Sequence, residues 1–208
     1  MGRAFDRLNE ELRAFVERQH VFFVATAPLA ADGHVNVSPK GYDTFRVLDE
    51  RTVCYLDISG SGAETIAHVR ENGRITIMCC AFEGNPDVVR LYGQGEVVFP
   101  DDDRFAELLA LFPPRSGVRS VIVVALDRVS STCGFGVPLM DFVADRERLE
   151  EAFAKRGADA LPDYWASKNA VSVDGLPAVP SRTNRTSSTE VSAARTAPSA
   201  TGAASSGG

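Results

Sequence analysis

Four short segments of this 208-residue chain gather the hydroxyl, amide and cationic side chains that could do chemistry. The first is Asp57-Ile58-Ser59-Gly60-Ser61-Gly62-Ala63-Glu64-Thr65. A Gly/Ser loop opening into a helix offers free backbone N–H groups and the positive end of the helix dipole. Hydroxyls such as Ser59, Ser61 and Thr65 add donors, so a phosphate suits it. A plain capped turn has the same composition. The loop is not a Walker A motif, because no Gly-Lys-Ser/Thr follows, and Thr65 stands where a GxGxxG run would end in glycine. The second segment, Asn36-Val37-Ser38-Pro39-Lys40-Gly41, could present the Ser38 hydroxyl and the Lys40 ammonium to a phosphate, or could simply carry an exposed lysine in a turn. In the third, Ser131 to Pro138, small residues around Phe135 permit close approach of another chain or a flat ligand, or merely end a strand. The fourth runs from Tyr164 through Trp165 and Lys168 to Asn169, with Ser172, Asp174, Gly175 and Leu176 beyond it. Its tryptophan, the only one in the chain, could stack on a ring system or dock the last segment onto the core.

Other chemistries find less support. The net charge of −6 argues against a nucleic-acid footprint. Cys54, Cys79, Cys80 and Cys133 lack CxxC spacing and histidine partners, so they read as buried, reduced thiols and no metal site is expected. His20, His34 and His68 are scattered and form no triad. No apolar run nears the roughly 20 residues of a membrane helix, and the charged N-terminus lacks a signal-peptide core. No membrane partner and a cytoplasmic location are the expectations.

The elements that must position these segments follow from periodicity. Phe5, Leu8, Leu12, Phe15 and Val16 recur at helical spacing, giving an N-terminal helix within residues 1–19. Strands are expected at Val21–Thr26, His34–Ser38, Phe45–Leu48, Thr52–Asp57, Arg74–Phe82, Val88–Phe99 and Arg119–Ser131. Gly93 and Gly95 mark a bulge or bend. Helices are expected from Ala63 to Glu71, with Ser61 and Glu64 as a capping box and Asn72-Gly73 as the stop, from Asp101 to Leu111, and from Met140 to Lys155. Short turns between most strands favour an antiparallel barrel over a doubly wound sheet, so the fold class is mainly β with flanking helices. The apolar strands Ile75–Met78 and Val121–Leu126 exceed the needs of one small barrel face, which predicts a homodimer. From about Ala178 the composition is Ser, Thr, Ala, Arg, Pro and Gly without an aromatic residue, and residues 177–208 read as a disordered, dispensable tail.

In order, an N-terminal helix, FFVATA, HVNVSPKG, TVCYLDISGSGAETIAHVRENGRITIMCCAF, RLYGQGEVV and STCGFGVP resemble the pyridoxamine 5'-phosphate oxidase-like, FMN-binding split-barrel superfamily. Within it the chain is most similar to a bacterial group of pyridoxamine 5'-phosphate oxidase family proteins. The resemblance covers residues 5 to 176. It implies a split-barrel domain over residues 20–176 and a dimer with two flavins at the interface, acting as a flavin-dependent oxidoreductase on a small molecule. Ser38, Lys40, Ser59, Ser61 and Thr65 would then hold the flavin phosphate, and Trp165, Lys168 and Asn169 would reach the partner's site. The chain departs from the true oxidases, which carry an Arg-Lys pair where it has Glu64-Thr65 and a glutamine where it has Val88 or Val89. That departure speaks against pyridoxamine 5'-phosphate oxidation itself. The deazaflavin coenzyme F420, haem, or a non-catalytic flavin-binding role are the alternatives that sister families on this fold imply.

Overall fold

The computed structural model describes residues 2–180. Eight antiparallel strands form one curled sheet: β1 (Arg3–Phe5), β2 (Phe22–Thr26), β3 (Asn36–Lys40), β4 (Phe45–Val47), β5 (Thr52–Ile58), β6 (Arg74–Cys80), β7 (Val88–Val98) and β8 (Val118–Thr132). Their order is β3-β2-β6-β7-β8-β5-β4, with β1 pairing on the far part of β8. The sheet curls so that its two ends approach: Phe22 on β2 meets the rings of Phe45 on β4 and Tyr55 on β5. This is the split-barrel architecture, mainly β with flanking helices.

The N-terminal helix is shorter than its periodicity suggests. Residues 3–5 are spent pairing with β8, and α1 (Glu10–Glu17) starts only where the Asn9 side chain accepts from the Leu12 N–H. Leu8, Leu12, Phe15 and Val16 are buried in the main core, so this segment belongs to the barrel rather than to a separate unit. Helix α2 (Glu64–Asn72) ends at Gly73, whose φ of 75° is the left-handed C-cap conformation. Helices α3 (Phe105–Leu109), α4 (Arg148–Arg156) and α5 (Leu161–Lys168) complete the shell. The long helices expected over 101–111 and 140–155 are thereby corrected to short ones. Residues 138–146 leave Leu139, Met140 and Val143 exposed; the segment is held instead by the Phe142 ring stacked on His20 and by the Met140 N–H bonded to the Phe82 carbonyl, which need no helix.

Two further readings change. Val121, Ile122, Val124 and Leu126, with Ile75 and Ile77, are buried within the single chain, while Val123 and Met78 stay half-buried, so most of the apolar surface behind the dimer expectation is used in the core. Strand β5 explains part of this, because it is buried on both faces. Val53 and Tyr55 enter the main core, while Cys54 and Leu56 enter a smaller cluster with Val98, Val121 and Phe112. The tail boundary also moves. Ala178 and Val179 lie in the core, bonded through backbone N–H groups to the carbonyls of Ala170 and Asn169. The disordered-tail reading therefore falls on residues 181–208, outside the described ones, and a truncation at Ala178 would remove core.

Strand β7 bends at Gly93, where its pairing with β8 shifts register after Tyr92. A Cβ on Gly93 would sit 2.1 Å from the Ala125 carbonyl oxygen. The neighbour is backbone and cannot rotate away. Gly93→Ala is expected to cost about 1–3 kcal/mol by overpacking, read as a melting temperature several degrees below the parent.

Candidate functional site

Period-2 alternation along β3 puts Asn36, Ser38 and Lys40 on one face, with Val37 and Pro39 on the other. That face looks across the opening of the sheet to the C-terminal end of β5 and the loop leading into α2. Between them lies a cleft of about 270 Å³, lined by Ser38, Lys40, Asp57, Ser61, Thr65 and Arg119 among others. The structure thus brings together four of the residues singled out from the sequence: Ser38, Lys40, Ser61 and Thr65.

The charged centre of the cleft is Asp57, which is 1% exposed. Its carboxylate accepts from Arg119 Nε at 2.8 Å, Arg119 Nη2 at 3.3 Å, Ser120 Oγ at 3.2 Å and Lys40 Nζ at 3.4 Å. Burial by itself would raise the Asp57 carboxyl, but Arg119 and Lys40 outweigh it and hold it below the ordinary carboxylate range. Arg119 reaches this place through a bulge. Pairing passes from Asp57–Ser120 to Ile58–Val118, so Arg119 is the unpaired extra residue and turns onto the same carboxylate as its neighbour Ser120. Nη1 bonds the Gly62 carbonyl at 3.0 Å. Each of the three Arg119 nitrogens is thus engaged, whereas Lys40 makes one long contact and keeps donors to spare.

The loop itself differs from the expected capping box. Ala63 is the N-cap, no side chain caps the helix, and Glu64 instead folds back against Gly62. The start of α2, Ala63 to Thr65, thus lines the cleft with no side chain capping it, and an uncapped helix N-terminus suits an anion. Glu64 lines the same cleft and opposes that attraction.

Ser59 does not line the cleft. It is fully buried and accepts a 2.7 Å hydrogen bond from Trp165 Nε1. Asn169, also fully buried, donates to the Gly60 carbonyl at 2.9 Å and the Ser61 carbonyl at 3.4 Å. Trp165 and Asn169 therefore clamp the loop of their own chain from behind, while Lys168 is exposed and away from the cleft. In the Ser131–Pro138 segment the close approach is also internal: Gly134, at φ 59°, packs on the Asp87 backbone, and Phe135 stays exposed. Site residues outside the set selected from the sequence include Asp57, Asn36 and Arg119, the last of which the sequence offers only as a fallback to Lys40. Asn36 was legible from the β3 alternation, but a bulge leaves no periodic trace for Arg119.

Elsewhere two of the thiols are buried and unreactive. Burial pushes Cys54 up to about 11 and Cys79 up to about 12, so neither is a nucleophile near neutrality. Cys133 is exposed, against the expectation that all four cysteines are buried. Among the described residues no cluster of His, Cys, Asp or Glu could hold a metal, and no helix is long and apolar enough to cross a membrane.

Because Asp57 ionises more readily folded than unfolded, its contribution to stability is present above the ordinary carboxylate pKa and is lost as pH falls through the lowered folded value. Asp57→Asn leaves two cations facing one another, an expected loss of about 3–5 kcal/mol at neutral pH. In urea melts this deficit should shrink in acid, where the parent also loses the carboxylate; a deficit independent of pH would show that the charge is not what holds the site.

Comparison with known proteins places the chain. Residues 8–133 match the family described as Pyridoxamine 5'-phosphate oxidase. The chain is 40% identical over 190 residues to "Pyridoxamine 5'-phosphate oxidase family protein ustO" of the fungus Aspergillus flavus, covering 83% of this chain and 76% of the relative. The likeness is thus not confined to bacteria. Among solved structures, HupZ of Group A Streptococcus aligns at 20% identity, covering 59% of this chain and 91% of its own, with a TM-score of 0.46. An FMN-binding protein of Syntrophomonas wolfei aligns at 14% identity, covering 58% and 82%, with a TM-score of 0.42. On the matched span and the 40% relative, the chain belongs to the pyridoxamine 5'-phosphate oxidase family.

Proposed function

We propose that this protein binds a flavin, FMN in the first instance, by its phosphate and acts as a flavin-dependent oxidoreductase on a small molecule. The observation that carries the reading is the cleft between β3 and α2. It combines an uncapped helix N-terminus, a lysine with spare donors and the hydroxyls of Ser61 and Thr65 in one place. That donor set fits a phosphate monoester. A volume of about 270 Å³ is below the roughly 300–1,000 Å³ of sites that enclose a whole drug-sized ligand. It suits the phosphate end, and the ring has to lie on a surface that a second copy of the chain completes. A homodimer is therefore part of the proposal.

Bound flavin would supply hydride and one-electron chemistry, which explains a site without a protein acid–base pair. The chain's own residues have simpler duties. Lys40 swings between Asp57 and the phosphate, while Arg119 fixes Asp57 and the Gly62 carbonyl. Trp165 and Asn169 hold the loop so that its N–H groups stay aimed into the cleft. Glu64 replaces a cation of the true oxidases and weakens the hold on the phosphate, which favours a reaction other than pyridoxamine 5'-phosphate oxidation.

Fluorescence titration with FMN, and separately with F420, tests the reading. The parent should quench FMN saturably. Lys40→Ala should weaken binding roughly 10- to 100-fold, the weight of one charge-assisted hydrogen bond. Glu64→Gln should tighten it. Absence of binding to either coenzyme sinks the flavin assignment, and bound flavin without turnover of NAD(P)H and an acceptor leaves a binding module instead of an enzyme.

A further inference from the structure

Behind the cleft runs a chain of polar side chains. Asn36 donates through Nδ2 to Thr65 Oγ1 at 3.0 Å and to Thr26 Oγ1 at 3.3 Å, and its Oδ1 accepts from Ser38 Oγ at 3.0 Å. Thr26 Oγ1 lies 3.0 Å from Nδ1 of His68, a fully buried residue on α2. Cross-strand pairing of Thr26 with Asn36 sets the first half of this chain, and one turn of α2 between Thr65 and His68 sets the second.

A hydroxyl has one hydrogen, so the direction of each bond constrains the next. With its oxygen accepting from Asn36, Thr26 has its hydrogen free for His68 Nδ1. Giving it there makes His68 the Nε2–H tautomer, with Nε2 buried and without a hydrogen-bond partner among the described residues; burial also lowers the basicity of the ring, which favours its neutral form. Thr65, likewise accepting from Asn36, keeps its hydrogen for the cleft or for the buried Tyr55 hydroxyl, with which it also interacts. Ser38 has spent its hydrogen on Asn36 and offers the cleft only lone pairs.

Resting on the phosphate-site reading above, we propose that Asn36 is the positioning residue of the cleft: it polarises this hydroxyl chain so that Thr65 presents a hydrogen to an anion and Ser38 an acceptor to a hydroxyl. The ligand class selected is a phosphate ester that bears an alcohol beside the phosphate. The reverse polarity, with the amide turned over, requires Nδ1–H on His68 and leaves Ser38 rather than Thr65 as the donor.

The test has an arm that needs no ligand. Imidazole ¹⁵N spectra of the labelled parent should show neutral His68 as Nε2–H. Asn36→Asp, similar in size, would draw the Thr26 hydrogen to its carboxylate and move His68 to the Nδ1–H tautomer or to imidazolium. In titrations, Asn36→Asp and Thr65→Val should each weaken FMN roughly 10- to 100-fold, as loss of a charge-assisted donor implies, and leave riboflavin unchanged. An Nδ1–H tautomer in the parent, or equal losses for FMN and riboflavin, overturns the assignment. If the parent binds no flavin, the proposed function falls on its own arm. The tautomer of His68 in the parent and in Asn36→Asp then still decides the polarity of the chain.

Discussion

The fold turns on a buried carboxylate. Asp57 sits at the end of β5 where the two ends of an open barrel come closest, and it cannot be left unpaired there: removing one partner of a buried ion pair costs several kcal/mol. Its partners come from both sides of the opening. Arg119 and Ser120 arrive from β8, the neighbour of β5, and Lys40 arrives from β3, the strand at the opposite end of the sheet order. Satisfying Asp57 therefore draws the free end of the sheet toward β5. The cleft is the space left under that closure. Carboxylate, bulge and cleft are one arrangement.

The clamp made by the C-terminal segment follows from the same closure. A glycine- and serine-rich loop has little side-chain packing and a high entropic cost of ordering. Trp165 and Asn169 lower its freedom at two carbonyls and one hydroxyl, and they are themselves anchored because Leu161, Trp165, Ala178 and Val179 are core residues. Arg70, in the last turn of α2, donates to the Ala178 carbonyl, so the helix that opens onto the cleft is tied to the segment that holds its loop. The core thus reaches the site through the chain's last described residues.

Much of this was legible in the sequence and some of it was not, for separable reasons. Strands are marked by β-branched and aromatic runs between turn residues, and every long one was found within a few residues of its end. The donors Ser38, Lys40, Ser61 and Thr65 stood in segments of unusual composition. Arg119 did not, since it begins an apolar strand and only a one-residue register shift turns it inward. The capping box failed because Ser61 and Glu64 have the right spacing while the backbone makes Ala63 the N-cap. Trp165 was read either as a ring for a ligand or partner or as a dock for the last segment; the packing matches the dock, and the bond it donates to Ser59 of the same chain is a tertiary detail. The helix expected from Met140 had the right spacing, but Leu139, Met140 and Val143 at its start stay exposed while Phe142 stacks on His20.

Charge balance in the cleft then separates the two cations by function. Lys40 and Arg119 face Asp57 and Glu64, so the site carries no formal surplus of positive charge to hold an anion by Coulomb attraction alone. Any added anion must win a cation away from a carboxylate or be held by dipoles. Arg119 cannot easily be won, because each of its three nitrogens already has a partner and the residue is buried. Lys40 can, because one contact at 3.4 Å is all that restrains an ammonium with three hydrogens. The same ammonium lies 5.9 Å from the Tyr55 ring centroid, which softens the cost of leaving Asp57. Binding strength is therefore set less by net charge than by how well the N–H groups of α2 and the polarised hydroxyls are aimed. Those are directional and short-ranged, so they discriminate the shape and protonation of a ligand where a cluster of lysines would not.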